Sequence, residues 1–391
     1  NSEYIGLIVE EDDLKKKLRC CRPSHLPSPS PLIDSLISND ILITANKIID
    51  GDTRGINGFL LEGDITYASS IDGRILKIFN GIVQEAIQLK DPCSEIVEMS
   101  CGFPLGIRRL NSSTLIVVDA YDGILAVDFN NRKVSTLLPS NTQIDKLTRL
   151  LYIYDVAVLN EDILILTERS NRYIPFYNEY ERMEHQPNGR LFHYEISRNC
   201  ITPLLTGLFE PSGVEVLQDS NTIVFSETGT ASILMYTLHH KMLTKFTDNL
   251  PGLPSIIRLT PYKDELWVSM EEVRYNEKGA PMSLTEYLRN WPSIRKILLS
   301  ILPTKVLKTV FGSFQSPYMI AAKYNIQGKP LVSIQAPRGI TNVKGLSQVL
   351  IVSQNEESIM VSFSKGHYMG KVNKMYVDGL QKGIESSKRR R

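Results

Sequence analysis

Nowhere in the 391 residues do about 18 apolar side chains follow one another, so the given sequence has no run fit to form a membrane-spanning helix. It starts at Asn1 rather than Met, and an anchor or signal segment is expected upstream of residue 1. An excess of one charge is missing too. The 44 Lys and Arg against 43 Asp and Glu leave a net charge of +1. Nucleic-acid partners need a basic surface with interleaved aromatics, so none is expected here. The one dense basic run, residues 388–391, reads as a solvated, disordered end.

Metal-ligand spacing is absent as well. The five cysteines include no CxxC pair and no neighbouring His pair, which argues against structural zinc. Cys20 and Cys21 are adjacent, Cys200 stands alone, and Cys93 and Cys101 bracket a short loop before a strand. In an oxidising compartment that last pair would form a disulfide; in the cytosol it would be two buried thiols. Histidines number only six, and no Ser–His–Asp arrangement follows from their spacing. His185 near a channel mouth could act as a general base, but a solvent-facing loop histidine is the simpler reading. Asn111-Ser112-Ser113 is a glycosylation sequon at a turn.

What the chain does have is one recurring phrase: a short apolar β-run, a small or acidic residue, a polar turn and a second apolar run. It reads DITYASSIDGRILKIF from Asp64, STLIVVDAYDGILAVDF from Ser113 and TIVFSETGTASILMYTL from Thr222. Weaker copies begin at Asp162, Asp264 and Gln348. The anchors Ser70, Asp119, Glu168, Glu227, Met270 and Gln354 lie 49, 49, 59, 43 and 84 positions apart. Propeller blades of four strands repeat every 40 to 50 residues or so, and the two long intervals hold inserts. Two strands joined by a short turn cannot bury both faces alone, so such units stack around an axis. The expected fold is all-β, a six-bladed β-propeller over residues 45–369, with a linker or juxtamembrane segment at 1–44 and a basic tail at 370–391.

Residues 283–314 break the β pattern. Apolar residues at spacings of three and four, divided by Pro292 and Pro303, predict amphipathic helices. Arg289, Arg295, Lys296, Lys305 and Lys308 make their polar side basic. Two readings stay open: a helical cap over one propeller face, which is the simpler one, and a surface that lies on an anionic membrane. The acidic anchors Asp119, Glu168 and Glu227 likewise read either as a cluster facing the axis or, more simply, as turn caps.

The stretch CGFPLGIRRLNSSTLIVVDAYDGILAVDF from Cys101 resembles strictosidine synthase-like proteins, as do NGRLFHYE from Asn188, LPGLPSIIRL from Leu250 and EYLRNWPSIRKIL from Glu286. The last resembles the animal branch of that family. The resemblance covers residues 46–362. It implies a six-bladed propeller, a membrane anchor before it, a lumenal or extracellular location and a Cys93–Cys101 pair. It also implies a comparison at the axis, where propeller hydrolases of the wider superfamily hold calcium with Glu, two Asn and Asp. Matched phrase by phrase, those positions are Asn57, Tyr154, Ser212 and Ser255 here, with Asp155 beside one of them. One amide, two hydroxyls and a phenol do not balance a hard dication, so no calcium or other cofactor is expected. The position of the family's catalytic Glu falls at Thr341 or Asn342, neither of which titrates usefully near neutral pH. The axis is therefore expected to be neutral, hydrogen-bonded and partly closed by Tyr154. The expected function is an anchored ectodomain with a degenerate site that binds a small molecule or protein partner without metal; the alternative is an esterase-type hydrolase. Membrane contact is expected upstream of residue 1, with the helices of 283–314 as a second possible contact.

Overall fold

Apolar runs joined by short turns need neighbours on both faces, and the chain supplies them as six four-stranded antiparallel sheets. A computed structural model describes residue 15 and residues 28–50, 55–90, 101–260, 265–274, 284–314, 316–340, 348–350, 358–363 and 368–390. Blade one is Ile56–Glu62, Ile65–Ser70, Arg74–Phe79 and Ile82–Gln88. Blade two is Pro104–Arg109, Thr114–Asp119, Gly123–Asp128 and Lys133–Pro139. Blade three is Tyr152–Val158, Ile163–Ser170, Gly189–Glu195 and Cys200–Leu208. Blade four is Pro211–Val216, Thr222–Glu227, Ser232–Thr237 and Met242–Thr247. Blade five is Gly252–Leu259, Glu265–Val273, Met319–Asn325 and Pro330–Ala336. Blade six combines Gln348–Leu350, Ser358–Ser362 and Tyr368–Asn373 with an N-terminal strand, Asn46–Asp50.

The first strand of each blade touches the first strand of the next, and blade six returns to blade one, so six inner strands ring an axis. The expected six-bladed propeller is the observed one. Closure comes from the two ends of the chain, with Asn46 paired to Lys371 and Asp50 to Tyr368. Second strands are sandwiched between adjacent blades. This is why they read as unbroken apolar runs, while an outer strand such as Lys133–Pro139 is largely exposed. The core lies between blades: Ile116, Val118, Leu164, Leu166 and Phe192 fill the space between blades two and three.

Two expectations about the ends of the chain need correction. Residues 32–44 are not a free linker. Leu32, Leu36 and Leu42 are buried, and the Gln335 side chain of blade five donates to the carbonyls of Leu36 (2.9 Å) and Ile37 (3.2 Å). Nor is the C-terminal segment a disordered tail. It forms a helix, Lys374–Arg390, whose Val377 is buried against blades five and six. The helices expected over 283–314 form, though not between two late blades: they lie between the second and third strands of blade five. α1 (Asn178–Glu184) comes from blade three. α2 (Leu284–Leu288), α3 (Pro292–Ile301) and α4 (Thr304–Ser313) come from blade five. Leu299 of α3 and Leu307 of α4 are buried with Tyr180 and Met183 of α1 and with Tyr121, near Phe103 and Leu151. The cap thus covers the face at which the inner strands begin.

Candidate functional site

The axial side chains are positioned by one device used five times. The inner strands of blades one to five break register near their start, between Ile56 and Gly58, Pro104 and Ile107, Ile153 and Asp155, Pro211 and Val214, and Pro254 and Ile257. A bulge leaves residues unpaired and re-aims them. The residues so placed are Asn57, Leu105, Tyr154, Ser212 and Ser255, which include all four positions singled out from sequence. Hydroxyls on the second strands tie the bulges to the next blade. Ser69 donates to the carbonyl of Leu105 (2.7 Å), Ser226 donates to that of Ser255 (2.5 Å), and Thr167 donates to that of Ser212.

Of those four positions, the structure brings two into direct contact. The Tyr154 and Ser255 hydroxyls, from blades three and five, are hydrogen-bonded at 2.8 Å. Ser212 instead shares a hydrogen bond with Thr228 (2.7 Å), and the Asn57 amide donates to the carbonyl of Pro104 (2.9 Å). Burial pushes the Tyr154 phenol above its ordinary pKa, so it stays protonated.

Asp155 and residues further along the same strands form a second group. Arg258 of blade five donates to both carboxylate oxygens of Asp155, at 2.6 and 3.1 Å. The Val214 amide donates to it as well, at 3.1 Å. Arg108 of blade two lies 3.6 Å from Asp155 and 3.2 Å from Glu215 of blade four. Two guanidiniums and two carboxylates from four blades therefore cross the axis as a balanced network. The axis is charged but compensated, not neutral as expected from the axial positions alone. Gly106 makes room for it: a Cβ there would lie 2.2 Å from an Asp155 oxygen. Sequence reasoning singled out Asp155 but missed its three partners. Their signal was present, because Arg108, Glu215 and Arg258 each sit three residues after the axial position of their blade.

A third group forms the rim under the cap. The Arg169 guanidinium lies 4.8 Å from the centre of the Tyr154 ring and pairs with Glu210 (3.0 Å) and Glu271 (2.7 Å). Arg182 of α1 pairs with Glu271, with Glu210 (3.3 Å) and with Glu272 (3.5 Å). Burial alone would raise Glu271, but Arg169 and Arg182 hold it down at about 2. Glu181, the residue before Arg182 on α1, goes the opposite way. Burial pushes it up to about 8, and Glu210 and Glu184 add to the rise, against hydrogen bonds from Ser170 (2.5 Å) and Asn188 (3.1 Å). It therefore holds its proton more readily than an ordinary glutamate. His185, read as a solvent-facing loop residue, is in fact buried and stacked on Phe209 at 4.8 Å.

The acidic anchors do not gather at the axis; each closes its own blade. Asp119 accepts from the Phe103 amide (2.8 Å), Glu168 from Leu151 (2.7 Å) and Glu227 from Phe209 (2.9 Å). Burial raises Asp119 to about 6 and Glu168 to about 7, the latter against the pull of Arg190. Among the described residues, no three His, Cys, Asp or Glu side chains are grouped as a cation would require. The donor set at the axis also fits calcium poorly, since Asp155, the carboxylate beside the axial positions, already holds a bidentate Arg. Thr341 and Asn342, at the family's catalytic position, lie outside the described residues. So does Cys93; Cys101 is buried. Asn111 sits half-buried in the first turn of blade two, its side-chain oxygen accepting from the amides of Ser113 (3.1 Å) and Thr114 (3.0 Å).

Six blades around bulged inner strands define a class of propeller, and the comparisons with known proteins narrow it. The strictosidine synthase family model matches residues 154–241, beginning at the axial tyrosine. The adipocyte plasma membrane-associated protein of Gallus gallus is 30% identical over 287 residues, 72% of this chain and 68% of its own. The Homo sapiens protein of that name is 26% identical over 325 residues, 82% of this chain and 76% of its own. Similar solved structures include a gluconolactonase from Xanthomonas campestris (TM-score 0.53, 13% identity, 90% of this chain and 98% of that one). A calcium-binding regucalcin from Agrobacterium tumefaciens gives TM-score 0.51 at 10% identity, covering 84% of this chain and 93% of that one. At such identity these two speak for the fold alone. The chain belongs to the strictosidine synthase-like family, in the branch of the adipocyte plasma membrane-associated proteins. Its relatives are named for association with the plasma membrane; among its own described residues no helix is long and apolar enough to cross one.

Proposed function

We propose that this chain is a membrane-anchored ectodomain whose propeller axis has given up metal chemistry and serves as a binding site for an apolar ligand or a partner. The observation that carries the reading is the bidentate grip of Arg258 on Asp155, the one carboxylate adjoining the axial positions. Opening that pair for a cation would leave a buried guanidinium uncompensated, at a cost of about 3–5 kcal/mol. Beside the charged rim of Arg169, Arg182 and their carboxylate partners stand aromatic rings: Phe103 and Tyr121 lie 6.3 Å apart and Tyr152 and Tyr154 6.1 Å apart, which favours a flat or apolar ligand over a sugar acid. A Cys93–Cys101 disulfide and a glycan on Asn111 belong to the same proposal, since both need the oxidising, lumenal or extracellular side of the membrane.

A hydrolase of the esterase type is the second reading, favoured by the fold shared with gluconolactonases and by a buried carboxyl with a raised pKa, Glu181, beside the rim. Turnover of aryl esters and lactones by the purified chain, with and without a chelator, separates the two. The binding reading expects background rates that a chelator leaves unchanged. Saturable, chelator-sensitive hydrolysis would overturn it in favour of the hydrolase.

A further inference from the structure

The cap is docked by one side of its helices, and the other side is bare. On α3, Arg295 and Leu299 are buried, and Arg295 donates to the carbonyl of Met183 at 2.8 Å, so the helix cannot roll without breaking that contact. Yet Trp291, Ile294, Ile297 and Ile301 follow one another at spacings of three, three and four along a different stripe, 59%, 40%, 54% and 64% exposed. Val306 of α4 and Phe314, which caps its C-terminus, continue the exposed apolar surface. A helix that needed only to cover the propeller would carry polar residues there.

Charge says what fits against that surface. Residues 284–314 hold five basic side chains and one acidic one, whereas the whole chain is close to neutral at +1. The single acid, Glu286, is buried and paired with Arg274 (3.1 Å) and Arg289 (3.1 Å). Lys296 and Lys305 are exposed beside the apolar stripe. Exposed Trp and Ile edged by Lys, with no exposed carboxylate among them, match the boundary between anionic headgroups and acyl chains. We propose that the outer face of α3 and α4 lies on an anionic lipid bilayer, which turns the capped mouth of the propeller toward the membrane surface. This goes beyond the proposed function, because it holds whether the axis binds a ligand or hydrolyses one.

The chain carries its own probe. Of its two tryptophans, Trp267 is 1% exposed and Trp291 is 59% exposed. The experiment mixes the whole chain with vesicles of phosphatidylcholine, alone or with phosphatidylserine, made with brominated acyl chains, and follows tryptophan quenching and co-sedimentation. Expected are sedimentation and quenching with the anionic vesicles only. Trp291→Phe should abolish the quenching and change sedimentation by less than about tenfold. An Ile297→Glu, Ile301→Glu pair should cut sedimentation at least about tenfold. Lys296→Ala and Lys305→Ala should each cost roughly fivefold. These side chains are exposed, so an unchanged melting temperature verifies folding in every variant. Absence of vesicle binding would overturn the proposal, as would binding with Trp291 unquenched or binding that survives the Glu pair. Self-association abolished by the Glu pair, without vesicle binding, would assign the face to a second copy and overturn it as well.

Discussion

Asp155 is the residue on which the axis turns. It is fully buried, its oxygens are held by Arg258 and by the Val214 amide, and Arg108 stands 3.6 Å away. Asp155→Ala leaves two buried guanidiniums against one carboxylate, so a loss of about 3–5 kcal/mol is expected by denaturant unfolding. Replacing Asp155 and Arg258 together by leucines should recover much of that loss, because a buried pair exchanged for apolar groups is often close to neutral. A double variant no better than the single one would contradict a pairwise tie. Glu181 gives a second expectation at this scale. Its folded pKa, about 8, lies above the ordinary 4.5 of a glutamate, so the folded chain holds a proton that the unfolded chain releases. Its contribution is fully present below about pH 4.5 and fades as pH rises through 8. Asp119 and Glu168, at about 6 and 7, push the same way, while Glu271, held at about 2, matters only in acid. Melting temperature should therefore fall between pH 6 and pH 8.5. Glu181→Gln should flatten that fall by on the order of 1.4 kcal/mol per pH unit. An unchanged slope in the variant would mean that Glu181 is already ionised.

Among elements, the closing strand and the segment before it show where reading from sequence stops. Strand pairs joined by short turns announce themselves through period-two patterns and turn residues, so the blades and their number were legible. Asn46–Asp50 is five residues long and pairs with a strand more than 300 positions away, a partnership no local pattern reveals. The Pro- and Ser-rich stretch before it hid the buried leucines in its second half. Leu42→Ala is expected to cost about 2–5 kcal/mol, since the side chain is fully buried against blade six and its neighbours. A free linker would show no change in urea unfolding, and that result would remove the segment from the fold. The terminal helix was hidden by its charge, although Val377 and Leu380 already stood three apart on one face.

For the whole molecule, the candidate site was half legible. Phrase matching singled out Asn57, Tyr154, Ser212 and Ser255 because the bulge recurs at one point of blades one to five, and a recurring backbone device leaves a recurring sequence mark. The pairing of their neighbours was not legible. Asp155 meets Arg258 two blades away, and which charges meet across a ring depends on its closure rather than on local spacing. Central to this reading is that ion pairs between blades hold the carboxylate beside the axial positions, so that no cation binds there. Calorimetric titration of the chelator-treated chain with calcium, paired with melting temperatures in calcium and in chelator, tests it most directly. The account predicts no binding heat and identical melting temperatures. Saturable calcium binding that raises the melting temperature and disappears in Asp155→Asn would contradict it.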